Sequence, residues 1–272
     1  MAAAPLSPLG AFARAHDPDR FLAAIFVPPP VREAFFALIA FNHELARARE
    51  ATTNPVAALI RLQWWRDAVA EAAEGRPARR HEVALPLHGA IVSGTLAADD
   101  LHGLIDAREA ETEEGGIPTR DAFGAYLRAS AGGFALAGGR LIGAPDAALP
   151  LLQRLGALHG LAGVLRSVAA HAAQGRCLLP VDALSEAGLS PEAVVAEPGL
   201  AASLVRALAE EGGAMLGKAM AETLPRVAVP AVLPTVLAAR DLRRMAAGRP
   251  VPNPRGLGDR LAVSIAGFRG RL

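Results

Sequence analysis

The residues best suited to chemistry lie in one apolar stretch, Leu155 to Pro180. Spacings of three and four residues place five small or weakly polar residues on one face of a helix: Gly156, Gly160, Gly163, Ser167 and His171. Arg166 and Arg176 occur in the same stretch. Because a guanidinium group pairs well with phosphate or carboxylate, we expect these two arginines to contact an anion.

A second polar set lies on an amphipathic helix predicted over Val31–Glu50. Asn42 is an amide on the buried side of this helix, and His43 and Glu50 follow it. His43 and Glu50, with His171, could ligate a transition metal. Lone histidines on helix faces usually have structural roles, so we expect no metal site.

The acidic run Glu109, Glu111, Glu113 and Glu114 also does not predict an ion site. These residues scatter around a helix that ends at a glycine pair. A solvated helix end is therefore the expected structure.

Composition limits both the fold and the partners. The chain has 272 residues, with 28 Lys and Arg, 27 Asp and Glu, and one cysteine. Near-neutral charge without a basic stripe disfavours a nucleic-acid partner, and a single cysteine excludes a disulfide framework. No stretch approaches the roughly 18 uninterrupted apolar residues of a spanning helix. We expect a cytoplasmic protein with at most peripheral contact on the inner face of a membrane.

Most apolar segments repeat at the helical period, which predicts an all-α fold. We expect one domain over residues 1–272, with residues 1–16 flexible. Helices are predicted over Asp17–Val27, Val31–Glu50, Asn54–Glu74, His81–Ser93, Asp99–Glu114, Thr119–Ile142, Leu155–Ala170, Asp182–Ala187, Pro191–Ala196, Pro198–Leu224, Thr235–Ala247 and Leu257–Phe268.

The stretch Leu155–Pro180 resembles the second signature of the squalene/phytoene synthase family, G-x-A-x-Q-L-T-N-I-L-R-D-V-x-E-D followed by G-R-x-Y-L-P. The matching residues are Gly156, Leu161, Leu165, Arg166, Val168, Gly175, Arg176, Leu179 and Pro180. Ser167, Ala170 and His171 stand where the family carries Asp, Glu and Asp. Those acids hold magnesium in the family. Serine and imidazole do not replace carboxylates for a hard cation.

The helix over Val31–Glu50 resembles the family's first aspartate segment, R-x-A-x-x-A-L-Y-A-F-C-R-x-x-D-D-I-x-D. The matching residues are Arg32, Ala34, Ala37, Leu38, Ala40 and Phe41. The family arginine falls on His43, and the acids fall on Ala46, Arg47 and Glu50. The resemblance therefore leaves one carboxylate in the first cluster.

The stretch Tyr126–Gly143 contains two glycine pairs, which cost helix stability unless a close approach compensates. It resembles the family's Y-x-x-x-V-A-G-x-V-G segment, which lines the prenyl-chain cavity. The resemblance implies an apolar pocket formed by Phe35, Ile39, Tyr126, Gly132, Gly160 and Gly163. Close packing between helices would explain the same small residues, so both alternatives stay open.

Two further stretches, 41–46 and Arg61–Trp65, are similar to a degenerate branch of the family that includes the mitochondrial respiratory complex I assembly factor. The resemblance implies a single isoprenoid-synthase-type helical bundle around a central cavity. The degenerate motif positions expected to line that cavity are Asn42, His43, Ala46, Glu50, Arg166, Ser167 and His171.

The resemblance also sets the expected function. Family enzymes use magnesium, held by two aspartate clusters, to remove diphosphate and to join two prenyl chains head to head. Five of the six expected acids are replaced here. We expect a non-catalytic protein without a cofactor that acts in assembly of a membrane respiratory complex or in isoprenoid or lipid binding. An active magnesium-dependent prenyltransferase is the alternative.

Overall fold

The computed structural model describes residues 5–52, 54–113 and 115–272. Helices make up 73% of the structure, and no strand occurs within those ranges. The all-α prediction is confirmed.

Fifteen α-helices follow one another in the described part of the chain: α1 Pro8–His16, α2 Pro18–Ala24, α3 Pro29–Glu50, α4 Pro55–Ala73, α5 Ala84–Val92, α6 Ala98–Glu109, α7 Arg120–Ala129, α8 Ala131–Leu141, α9 Leu149–Arg166, α10 Val168–Ala173, α11 Val181–Glu186, α12 Pro191–Ala196, α13 Ala202–Met220, α14 Thr235–Ala246 and α15 Leu257–Arg269. Short 3₁₀ helices precede α9 and α13 and connect α13 to α14: Asp146–Ala148, Pro198–Ala201 and Arg226–Val232.

The start of the chain corrects one expectation. Residues 8–16 form α1, so the expectation that residues 1–16 are flexible is wrong for this part. The Ser7 hydroxyl accepts a hydrogen bond from the backbone N–H of Gly10 at 3.0 Å and caps the helix. Ala13 is fully buried where α1 packs on α3. Residues 1–4 lie outside the described residues.

Two long predicted helices are each divided by a serine. Ser130 separates α7 from α8, and its hydroxyl donates to the Tyr126 carbonyl at 2.6 Å. Ser167 separates α9 from α10, and α9 begins six residues before the predicted start. A serine that bonds the preceding turn competes with the regular ladder and bends a helix, which explains the break at Ser130.

Glycines allow α8 and α9 to pack backbone against backbone. A Cβ atom on Gly156 would lie 2.6 Å from the Ala131 carbonyl oxygen. One on Gly132 would lie 2.8 Å from the Gln153 carbonyl oxygen, and one on Gly160 would lie 2.6 Å from the Ala131 Cβ. The interpretation that Gly132 and Gly160 line an apolar pocket is therefore wrong, because both lie in the close contact between α8 and α9.

Phe35 and Ile39, two other residues expected in that pocket, are also core residues. Each is 1% exposed. The Phe35 ring packs edge to face with that of Phe134 on α8, with the ring centres 5.9 Å apart. Phe35 and Ile39 therefore belong to the packed core and do not line an open apolar pocket.

The segment Asp146–Arg166, which contains α9, is long and apolar enough to cross a membrane by length and composition alone. In this structure α9 contacts α8, α13 and α14, and Leu152 and Leu155 on it are at most 1% exposed. These contacts are those of a central core helix, and α9 carries both the glycine contact and the polar residues at its carboxyl end.

The close contact between α8 and α9 predicts opposite effects for two glycines of α9. Gly156→Ala should lower the free energy of unfolding by roughly 1–3 kcal/mol, because the new methyl group overlaps α8. A Cβ atom on Gly163 would meet no described atom within 4 Å apart from its chain neighbours and the nearby backbone of its own helix. Gly163→Ala should therefore leave stability unchanged or raise it by up to about 1 kcal/mol. Urea denaturation midpoints of the two variants measure the difference, and equal midpoints would contradict the packing described here.

Candidate functional site

A polar cavity of about 800 Å³ lies where α1, α2, the end of α9 and the loop before α15 meet. The arginines that line it are Arg14, Arg20, Arg166, Arg255 and Arg260. The carboxylates that line it are Asp17, Asp19 and Glu50. Positive side chains outnumber negative ones, which favours an anion over a cation.

Three of the degenerate motif positions line this cavity: Glu50, Arg166 and Ser167. His43 lies behind its wall. The centre of the His43 ring is 4.6 Å from that of His16, which does line the cavity. Ala46 is one turn before Glu50 on α3 and is partly exposed. The end of α3 and the junction of α9 with α10 thus face the same cavity.

Behind the cavity wall lies the carboxylate of Asp241 on α14, which is 1% exposed and is held by two arginines of the lining. Arg255 donates to it at 2.6 and 2.8 Å, and Arg166 donates to it from α9 at 3.2 Å. Arg255 also donates to Asp19 on α2 at 2.8 Å. These charge-assisted bonds join α2, α9, α14 and the loop before α15 around the cavity.

A second buried carboxylate extends this network to α15. Asp259 is 2% exposed and accepts from Arg240 at 2.5 Å and from Arg244 at 3.2 Å. Burial acts to raise the pKa of Asp259, but the two arginines outweigh it, so its pKa is lowered. Arg244 also lies 3.5 Å from Asp241, so one chain of ion pairs fixes both helices.

Asp17 and Arg20 form a third pair on the wall. Asp17 accepts from the backbone N–H of Arg20 at 2.9 Å and from its guanidinium at 2.7 Å, and so caps α2. The same guanidinium lies 4.4 Å from the centre of the Phe134 ring, within cation–π distance. Asp17 and Asp19 are therefore both already paired with arginines.

Two histidines at the cavity are held neutral. Burial, followed by the charges of Arg20, Arg166 and Arg255, holds the pKa of His159 well below its usual value. Burial and the neighbouring His16 lower the pKa of His43 in the same way. A neutral imidazole donates through one nitrogen and accepts through the other, so His159 offers the cavity a hydrogen-bonding group without charge.

A separate, buried polar cluster lies between α3, α6, α7 and α10, and its centre is Glu111. This carboxylate accepts from Arg108 at 2.5 Å, from the Tyr126 hydroxyl at 2.7 Å and from Arg176 at 3.4 Å. Burial acts to raise the pKa of Glu111, but these three donors outweigh it and lower the pKa. The expectation of a solvated helix end is therefore wrong for Glu111, which is 7% exposed.

This cluster contains several residues that were expected at the cavity or the apolar pocket. Asn42 accepts from Arg108 at 3.0 Å, and Tyr126 is bonded to Glu111, so the expected cavity position of Asn42 and pocket position of Tyr126 are wrong. Arg176 is engaged by Glu111 and lines a smaller pocket of about 270 Å³. Arg176 therefore does not share a cavity with Arg166, and its role as an anion contact stays a prediction.

His171 is placed by the same cluster. Its backbone carbonyl accepts from the Arg176 N–H at 2.9 Å, and its Nδ1 is buried without a hydrogen-bond partner among the described residues. Burial, followed by the charge of Arg176, lowers the pKa of His171 to about 4. His171 is not among the residues that line the large cavity. Its low pKa keeps the imidazole neutral near pH 7.

The weak alternative of a transition-metal site on His43, His171 and Glu50 has no support in this geometry. His43 packs against His16, whereas His171 lies beside Arg176. Across the described ranges, no group of three or more His, Cys, Asp or Glu side chains is arranged to hold a metal ion.

The Glu111 cluster predicts a large effect for a small substitution. Glu111→Gln keeps the shape but leaves Arg108 and Arg176 buried without their counter-charge, which should cost roughly 3–5 kcal/mol of unfolding free energy. Glu109→Gln, at the end of α6, is the matched control, because Glu109 and its partner Arg66 pair at the surface. The control should cost less than about 1 kcal/mol. Equal losses in urea denaturation would show that Glu111 is not the centre of a buried network.

His171 predicts how stability depends on pH. Its pKa is about 4 in the folded chain and about 6.5 in an unfolded one, so the unfolded state takes up a proton first as pH falls. The contribution of the neutral His171 imidazole to the free energy of unfolding is complete above pH ~6.5 and is lost progressively as pH falls towards ~4. Between pH ~7 and ~5, the free energy of unfolding of His171→Gln should therefore fall by roughly 2 kcal/mol less than that of the parent. Parallel stability–pH curves would contradict this assignment.

Comparison with known proteins connects this geometry to a family. Residues 13–264 match the family model described as squalene/phytoene synthase. The chain belongs to the squalene/phytoene synthase family. The chain superposes on the crystal structure of a dehydrosqualene synthase in complex with ligand with a TM-score of 0.78. The superposition covers 96% of this chain and 94% of that chain, at 14% sequence identity. That likeness shows the shared fold, in agreement with the predicted isoprenoid-synthase-type bundle.

Two similar relatives of this squalene/phytoene synthase family member carry different names. One is the mouse NADH dehydrogenase (ubiquinone) complex I assembly factor 6, 25% identical over 180 residues, with 66% of this chain and 54% of the relative covered. The other is presqualene diphosphate synthase of Rhodopseudomonas palustris, 28% identical over 202 residues, with 70% of each covered. The match spans about half the length of the assembly factors.

Sequence reasoning missed the network residues Asp19, Asp241 and Arg255. A signal was present for Asp241: it is the only acid in a basic helix, and its spacing to Ala238 and Met245 places it on the apolar face. A buried acid needs a buried cation, so this position predicts an ion pair. Nothing comparable marks Arg255, which lies in a proline-rich connector.

Proposed function

We propose that this family member is a non-catalytic protein that binds an isoprenoid or lipid by its anionic headgroup and acts in the assembly of a membrane respiratory complex. One observation carries the proposal. The cavity that contains Glu50, Arg166 and Ser167 is lined by five arginines, and two of its three carboxylates are already paired with arginines.

Magnesium, which the family implies, does not fit the residues present. A hard dication requires several anionic oxygens that are free to coordinate it. Asp17 is bound to Arg20, and Asp19 is bound to Arg255, so only Glu50 on this wall has no ion pair with a described residue. Recruiting the two aspartates would take Asp17 from Arg20 and Asp19 from Arg255, which would keep Asp241 alone, so metal binding would break existing charge-assisted hydrogen bonds.

The arginines instead suit direct recognition of a phosphate or diphosphate. Arg255 is 10% exposed, and its donors are committed to Asp19 and Asp241, so it shapes the wall. Arg166 is 37% exposed and holds Asp241 less closely, at 3.2 Å. Arg14 and Arg260 form no ion pair with described residues. These three guanidinium groups, with the Ser167 hydroxyl, are the donors available to an anion.

The role in complex assembly rests on the relatives named as complex I assembly factors. The relative named presqualene diphosphate synthase supports the second candidate, an active prenyltransferase that condenses two prenyl diphosphates with magnesium. The two candidates make opposite statements about metal dependence, which a binding experiment separates.

The proposal predicts binding that does not need a metal. A non-hydrolysable prenyl thiodiphosphate should raise the melting temperature equally with EDTA and with magnesium, because arginines supply the positive charge. Arg166→Gln should weaken the affinity about 10- to 100-fold, through loss of a charge-assisted bond. Isothermal titration calorimetry and thermal shift measure these effects.

Arg154→Gln is the control for this experiment. Arg154 is on the same helix, is 53% exposed and pairs with Glu222 at the surface, away from the cavity lining. Its affinity should match that of the parent. Binding that occurs only with magnesium would overturn the proposal in favour of the prenyltransferase.

A further inference from the structure

The last described helix, α15, presents an apolar stripe to solvent. Four of its large apolar side chains are exposed: Leu257 at 85%, Leu261 at 60%, Ile265 at 40% and Phe268 at 76%. Spacings of four, four and three residues align them on one face. The opposite face, formed by Asp259, Val263 and Ala266, is buried against the protein. The helix is therefore amphipathic but has its larger apolar side chains on the outside.

The exposed charges of α15 are all positive. Arg260 lies on one flank of the stripe and Arg269 on the other, at 100° per residue along the helix, and both are exposed. Arg226 donates to the Phe268 carbonyl at 3.1 Å and adds another exposed arginine at this end. The one acid of the helix, Asp259, is buried and neutralised by Arg240 and Arg244.

We propose that the stripe Leu257, Leu261, Ile265 and Phe268 inserts into the interfacial region of a bilayer that contains anionic phospholipids. Large apolar side chains with arginines on both flanks are the combination that holds a helix in the plane of such an interface. The apolar side chains enter the acyl boundary, while the guanidinium groups stay at the level of the phosphates. This surface goes beyond the headgroup binding proposed above and does not depend on it.

A second copy of the chain fits the stripe less well. A two-fold contact places the same patch on both partners, so the arginines on the flanks of one copy would approach those of the other. Described residues of α15 offer no exposed carboxylate to offset that repulsion. An anionic lipid surface matches both features of the helix, the apolar centre and the positive flanks.

The stripe also lies next to the arginine-lined cavity. Arg260, on one flank of the stripe, is also part of the cavity wall, together with Pro252, Pro254 and Arg255 of the loop that leads into α15. A protein seated on the bilayer by α15 would therefore hold the cavity near the level of the lipid headgroups. That position suits a ligand with an anionic head and an apolar chain.

Vesicle co-sedimentation tests this surface. The purified chain should bind vesicles of phosphatidylcholine with phosphatidylglycerol, bind pure phosphatidylcholine vesicles more weakly, and lose affinity at high salt. Leu257→Ser with Leu261→Ser should reduce partitioning about tenfold or more, because two apolar side chains no longer insert. Both residues are exposed, so folding should be unaffected, and circular dichroism verifies it.

Val56→Ser with Ile60→Ser is the matched control, since these α4 side chains are 62% and 65% exposed. It should retain parental partitioning. Equal loss in both double variants, or no binding to anionic vesicles by the parent, would overturn the proposal. So would a parent that is dimeric in light scattering, fails to bind vesicles and becomes monomeric with Leu257→Ser and Leu261→Ser, because the stripe would then join two copies.

Discussion

The arrangement of the cavity depends on one buried carboxylate, that of Asp241. It is 1% exposed and receives hydrogen bonds from Arg255 and Arg166, and Arg255 continues to Asp19. Such a carboxylate is stable only while its cations remain, since an unpaired buried charge costs several kcal/mol. Arg255 and Arg166 at the cavity wall are therefore held in place by the fold itself. They supply positive charge beside Glu50 and Ser167, two motif positions at which the resemblance implies metal-binding acids in the family.

The sequence predicts the helices well but the polar residues poorly. Asn54 and Pro55 start α4 as predicted, because capping chemistry is local. Ser130 and Ser167 were not recognised as breaks, since the hydrogen bond at Ser130 competes with the helix only in a particular backbone geometry. Glu111 could not be placed from its pattern. Its partners Tyr126 and Arg176 lie 15 and 65 residues away.

Glycine illustrates why a family resemblance alone did not decide the pocket. Gly132 and Gly160 fit both a tunnel and a helix contact, and only the distance to the Ala131 and Gln153 atoms separates the two. In this chain Gly132 approaches the Gln153 backbone and Gly160 approaches the Ala131 side chain. Phe35 and Phe134 pack against each other in the core nearby. The large cavity lies instead at the carboxyl end of α9, where five arginines and three carboxylates belong to its lining.

The central claim is that arginines bind an anionic ligand here without the metal chemistry that removes diphosphate. A product analysis tests it most directly: the protein is incubated with magnesium and an excess of prenyl diphosphate that is radiolabelled in both its prenyl and diphosphate groups, and the label is separated into intact substrate, free diphosphate and coupled product. The account predicts that all the diphosphate stays attached to the prenyl chain while the ligand remains bound. Release of free diphosphate together with a coupled product would contradict it.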